Sequence, residues 1–348
     1  MITRQAAHQG ESMTRPSLTA LALALTLVIT LGSQCESTSG VTNTNANTNT
    51  NTSSNTNSND NTTDITDAVF TNMSGTCVDY AGAYTASVMD VGESASFTAT
   101  IVIVDNGDSC TVTSNSIPNH DFNNGGSFAT RVAEVNETFT LDATPELAAT
   151  PTALSLEYDN AIMLNGVKLD LLAAACYGVG NEPLGQEKIG CFDSDSPWRY
   201  DPMFSGNNFG TDSHHAHTQP DGAYHYHGDP LAMYDTSGAT ASPVIGFAAD
   251  GFPIYGPYIN DNGVIRKVLS GYTLKSGARV SQSGEGAFPG GTYDGTFIDD
   301  WEWTGAGDLD ECNGMMYDGS YAYFVTDSYP WVIRCFSGAP DPSFRKQP

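Results

Sequence analysis

From about residue 64 onward, Gly, Pro and Asn cut the chain into short β-branched and aromatic runs, which leaves little room for helices. Ala95 to Val104 is such a run, and it stops at Asp105-Asn106-Gly107, a strand followed by a turn signal. Cys110 to Ser114 reads as its hairpin partner. Glu137 to Leu141, Ala153 to Tyr158, Ser270 to Leu274 and Tyr321 to Thr326 read as further strands. The Asn165-Gly166 pair inside Met163 to Leu169 favours a tight turn, and Leu169 to Cys176 has room for a short helix. The expected fold class is mainly β, or α+β with few short helices. It is read as a single β-rich domain with long loops, stabilised by disulfides.

Six cysteines fall in this region: Cys77, Cys110, Cys176, Cys191, Cys312 and Cys335. An even count in an exported chain implies disulfides. Proximity along the chain favours Cys77–Cys110, Cys176–Cys191 and Cys312–Cys335. No two of them form a CxxC pair, which argues against a thiolate metal site.

Export itself is read from the N-terminus. Leu18 to Leu31 is an apolar run preceded by Arg15, which fits residues 1–34 as a secretory signal; it is too short for a membrane span of roughly 20 residues. Met13 is an alternative start that leaves a compact charged region before the run. Cys35, directly after the run, resembles the lipid-attachment cysteine of bacterial lipoproteins, although Gln34 departs from the small residue usual before it. Residues 35–63 are almost entirely Asn, Thr and Ser, a polar tether with too little apolar surface to offset ordering entropy. The other reading is a cleaved signal and a free polar segment.

Forty acidic residues against 13 basic give a net charge of −27. That excludes nucleic acid as a partner, since phosphate binding requires Lys/Arg patches. The acids are spread along the chain, as expected for a solvated surface.

Five of the seven histidines lie between residues 214 and 227. His214-His215-Ala216-His217 is followed by the turn signal Pro220-Asp221-Gly222 and then by Tyr224-His225-Tyr226-His227. On a strand, residues two apart share a face, so His225 and His227 face one way while Tyr224 and Tyr226 face the other. The turn can return His217 or His215 to the histidine face. Three converging imidazoles suit a divalent transition metal, Cu or Zn, with one position open. The competing reading makes these histidines hydrogen-bonded fillers between strands.

These segments resemble the YHYH domain family. Ala216 to Gly222 running into Tyr224-His225-Tyr226-His227-Gly228 is similar to the family's signature. Asn115 to His120 resembles its early Pro-x-His segment, Ile245 to Pro257 its DGFPIYGP segment, and Leu309 to Gly314 with Tyr321 to Pro330 its C-terminal block. The resemblance spans residues 95–338, leaving 64–94 as an N-terminal extension of the folded unit and 339–348 as a tail. The family's C-terminal block often carries a second Tyr-His-Tyr, where this chain has Ala322 at the middle position. The family is named for a motif and implies no reaction.

Further candidates carry plainer alternatives. His120 completes the metal site or packs elsewhere. Asp250 orients an imidazole or forms an Asx-turn. Asp310 and Glu311 are ligands, general bases or solvated loop charges. Asp105 to Asp108 and Asp261 to Gly263 lack the spacing of a calcium loop and read as hairpin turns. Three functions follow: an extracytoplasmic metal-binding surface protein for acquisition or buffering, a metal-dependent extracellular hydrolase or oxidase, or a non-catalytic adhesion or glycan-binding module. No committed catalytic group stands out, which favours binding over catalysis.

Overall fold

The structure, a computed structural model, describes residues 62–346. The signal, Cys35 and nearly all of the tether lie outside the described residues. Five strands form the first sheet in chain order: β1 (Thr62–Asp64), β2 (Gly82–Asp90), β3 (Ala95–Asp105), β4 (Ser109–Ser114) and β5 (Glu137–Asp142). In β3, Ala99, Ile101 and Ile103 are buried while Thr98, Thr100 and Val102 are exposed, the period-two pattern of a sheet with one covered face.

Shorter strands follow: β6 (Thr152–Ala153), β7 (Ala161–Met163), β8 (Lys168–Leu169), β9 (Ala216–Thr218), β10 (Tyr224–Tyr226), β11 (Val244–Ala248) and β12 (Pro253–Tyr255). The remainder are β13 (Tyr258–Asp261), β14 (Val264–Lys267), β15 (Tyr272–Leu274), β16 (Trp301–Trp303), β17 (Gly314–Tyr317), β18 (Ser320–Phe324) and β19 (Cys335–Phe336). Eight of these make the second sheet, ordered β17-β18-β12-β11-β7-β8-β10-β9. Among the described residues the helices are three short 3-10 turns, so the mainly β expectation holds. None is long and apolar enough to cross a membrane.

The covered face of the first sheet packs on the second through one continuous core that includes Ile101, Val112, Phe139, Ile162 and Phe247. Gly166 shows how close the layers come. It has φ +82°, and a Cβ there would stand 2.6 Å from Ile101, so Asn165-Gly166 makes its turn where only glycine fits. All three disulfides pair as proximity suggested: Cys77–Cys110, Cys176–Cys191 and Cys312–Cys335. Such bridges belong to an oxidising compartment, and the protein is accordingly extracytoplasmic.

The expected hairpins are present. Asn106 N–H donates to Ser109 O, and Asn262 and Gly263 both take positive φ in the two-residue turn between β13 and β14. Two expectations are corrected. Of Leu169 to Cys176, Leu169 ends β8 and the rest is irregular and not helical, because Asp170 and Leu171 bond across to Tyr226 O and Asn160 Oδ1 instead of along the chain. Of Ala153 to Tyr158, only Ala153 lies in a strand, where it pairs with Cys335. The segment after residue 338 is docked: Phe344 is fully buried and stacks on Phe139 at 4.6 Å.

Candidate metal centre

The turn Gln219-Pro220-Asp221-Gly222 is closed by Gly222 N–H donating to Gln219 O and by Gln219 N–H donating to Ala223 O, both at 2.9 Å. It makes β9 and β10 antiparallel partners, with His217 directly opposite His225. His225 and His227, two residues apart, point to the same face. The three rings meet edge to face, each pair with centroids 4.8 Å apart. Nε2 of His227 stands 3.0 Å from Nε2 of His217 and 3.1 Å from Nε2 of His225.

The opposite edges of the rings decide what those nitrogens offer. Nδ1 of His217 lies 2.6 Å from Phe209 O, and a carbonyl can only accept, so Nδ1 carries the proton and Nε2 presents a lone pair. Nδ1 of His225 faces Ala223 O at 3.4 Å with the same consequence. A single proton on His227 Nε2 can serve both neighbours, and it leaves the buried His227 Nδ1 without an ordinary hydrogen bond. A metal ion would take that proton's place. Two nitrogens bonded tetrahedrally at ~2.05 Å stand about 3.3 Å apart, close to the two spacings that involve His227, and the three ligand atoms all lie within 4.8 Å of one another.

Burial sets the protonation state. His225 and His227 are held well below the usual imidazole range, first by desolvation and then by the neighbouring rings. His217 is lowered by desolvation, partly opposed by its bond to Phe209 O. All three are therefore neutral near pH 7, the form that ligates metals.

The triad opens on a cavity of about 680 Å³ lined also by Lys168, Asp170, Lys188, Phe192, Phe209 and Lys346. Only His217 of the three is appreciably exposed, so access runs past its ring. Parallel pairing of β8 with β10 sets Lys168 beside His225 and brings Asp170 alongside His227. Lys168 is buried between Glu137 (2.5 Å) and Asp159 (3.3 Å), and Asp170 accepts from Gln219 Nε2 at 2.9 Å and Lys346 Nζ at 2.6 Å. Sequence reasoning missed Lys168, Asp170 and Phe209. The one available signal was a Lys and an Asp two residues apart, at the end of a strand otherwise apolar.

Asp212 was also missed, although it opens the histidine segment. Its carboxylate accepts from the backbone of His214 (2.9 Å), Ala216 (3.3 Å) and Asn123 (2.7 Å) and from Tyr224 Oη (2.8 Å). It ties the incoming loop to the tyrosine face of β10.

Three predicted ligands stand apart from the triad. His215 has its backbone carbonyl on His227 N–H, yet its φ of +59° turns it out of strand geometry, and its Nδ1 donates to Asp229 O at 2.7 Å. His120 serves the opposite face: its Nε2 meets Tyr226 Oη at 2.7 Å, and its ring stacks on His214 at 3.8 Å. Asp250 orients no imidazole, since its Oδ2 accepts from Tyr323 Oη (2.6 Å) and Gly338 N–H (2.9 Å). Asp310 likewise closes a turn, accepting from Cys312 and Gly314 N–H and from Tyr321 Oη. Ala322 sits in β18, five places along the sheet from β10. At about 4.8 Å per neighbour, a histidine there would be far outside bonding reach.

A family model described as YHYH protein matches residues 138–338, which covers the second sheet and the triad but begins after β1 to β4. Neither a curated protein nor a solved structure matches the chain.

Proposed function

This chain belongs to the YHYH protein family, and from that premise we propose that it is an extracytoplasmic metal-binding protein whose His217, His225 and His227 hold one Zn(II) or Cu(II) ion. The observation that carries the reading is the convergence of three Nε2 atoms, with the proton of His217 committed to a backbone carbonyl on the far side of its ring. Without an ion, one proton on His227 Nε2 is shared by two acceptors and His227 Nδ1 is left unpaired, whereas a divalent ion uses all three Nε2 lone pairs. Acquisition or buffering of the metal at the cell envelope is the role, with Cys35 as lipid anchor and the Asn/Thr/Ser tract as tether.

A second reading, a metal-dependent extracellular hydrolase or oxidase, draws on the cavity. Three protein ligands below a space of about 680 Å³ leave a coordination position open to water or substrate.

The deciding experiment is metal analysis of tag-free mature protein beside the His225→Ala/His227→Ala variant. One metal per chain is expected in wild type and almost none in the variant. Equal content in the two sinks the proposal.

A further inference from the structure

The cavity above the triad differs in charge from the rest of the molecule. The whole chain has 40 acidic residues to 13 basic, yet this one cavity is lined by four of each: Glu137, Asp159, Asp170 and Asp221 against Lys168, Lys188, Arg345 and Lys346. Added to that even balance, a divalent cation in the triad makes the cavity net positive within a strongly negative surface. Fields of this kind raise the local concentration of anions.

Lys188 is the cation best placed to use that field. Lys168, Arg345 and Lys346 are each bound to carboxylates, whereas Lys188 makes no ion pair within 4 Å among the described residues. Its ammonium donates to Asn207 O and lies 4.5 Å from the centroid of the Phe209 ring. The Phe209 carbonyl is the acceptor that holds His217 Nδ1, so Lys188 and His217 both bond to the short segment from Asn207 to Phe209. Beside it the cavity wall is apolar, with Leu172, Ile189, Phe192 and Phe209, and the Phe192 side chain is 67% exposed. A bare-ion site requires neither that volume nor an aromatic at its mouth.

We infer that the cavity accepts a small organic carboxylate with an aromatic body, its oxyanion at the open metal position near Lys188 and its ring against Ile189, Phe192 and Phe209. This rests on the metal reading and goes beyond it, because it assigns the open position to an organic anion rather than to water alone.

The test uses full mature protein loaded with Co(II) and titrated with phenylacetate or acetate, read by the visible absorption of the metal. Phenylacetate is expected to bind at least about tenfold more tightly than acetate, as partial burial of a ring implies. Phe192→Ser should erase most of that preference with metal content unchanged, and Lys188→Gln should weaken both anions. Equal and weak binding of the two anions by metal-loaded protein overturns the inference while leaving the metal site standing. A preference that survives Phe192→Ser, or anion affinities that Lys188→Gln leaves unchanged, overturns it as well. Failure of wild type to take up Co(II) is a different result, which removes the metal reading and this inference together.

Discussion

His217 and His225 face each other across the antiparallel pair β9–β10, and that single register puts the imidazole of His217 beside His225 in β10 and His227 just past its end. A slip of one residue would send His217 to the tyrosine face. The site is therefore a property of the hairpin first and of the surrounding fold second.

Metal should stabilise the protein as well as bind to it. At a free Zn(II) concentration a thousandfold above Kd, the folded state gains about 4 kcal/mol, to be read as a rise in Tm that chelation reverses. His227→Ala should abolish the rise, because its Nε2 is within 3.1 Å of both neighbours. His215→Ala and Asp250→Asn should keep it. A full rise in His227→Ala would count against the triad.

Asp212 should matter more than its position outside the triad suggests. Its carboxylate holds three backbone N–H groups and the Tyr224 hydroxyl. Asp212→Ala strands buried donors, a loss of roughly 2–4 kcal/mol in denaturant unfolding, with weaker metal binding. Asp212→Asn, which keeps an acceptor, should recover part of both.

The pH dependence of stability should carry the mark of Asp201. Burial pushes its carboxyl up to about 6, against partial relief from Met203 N–H and Trp331 Nε1–H. A carboxyl raised in the folded state keeps a proton that the unfolded chain has released. Its contribution is thus most favourable below about pH 4, falls as pH rises to about 6, and is flat above. The penalty at pH 7 is on the order of 3 kcal/mol. Asp201→Asn should remove that slope and raise stability at neutral pH; an unchanged unfolding profile between pH 4 and 7 would refute this.

Cys176–Cys191 should govern the wall of the cavity. It closes a loop of 15 residues that carries Lys188 and Ile189, with Phe192 just beyond. The double Ser variant should lose about 3 kcal/mol of stability. Amide exchange should quicken across residues 177–190, while metal content stays near that of wild type, since none of the three ligands lies in the loop.

What the sequence determined by itself is local. The alternation of Tyr224-His225-Tyr226-His227 fixed which side chains share a face, because the pleat has period two whatever surrounds it. Asn-Gly pairs marked turns, since they tolerate positive φ. Chain-neighbour cysteines found each other across short loops. Tertiary structure decided the rest. His217 and His215 are equivalent by spacing, and only the left-handed backbone at His215 separates them. His120 matched a motif yet serves Tyr226 on the far face, a fact fixed by the packing of one sheet on the other. Asp170 and Lys168 reached the triad through a parallel pairing across 57 residues, His225 with Lys168. Ala322, whose missing imidazole bears on the site when judged by motif, is five strands away. Periodicity is written in neighbouring residues; sheet order depends on which distant apolar faces bury each other, and no local pattern encodes that.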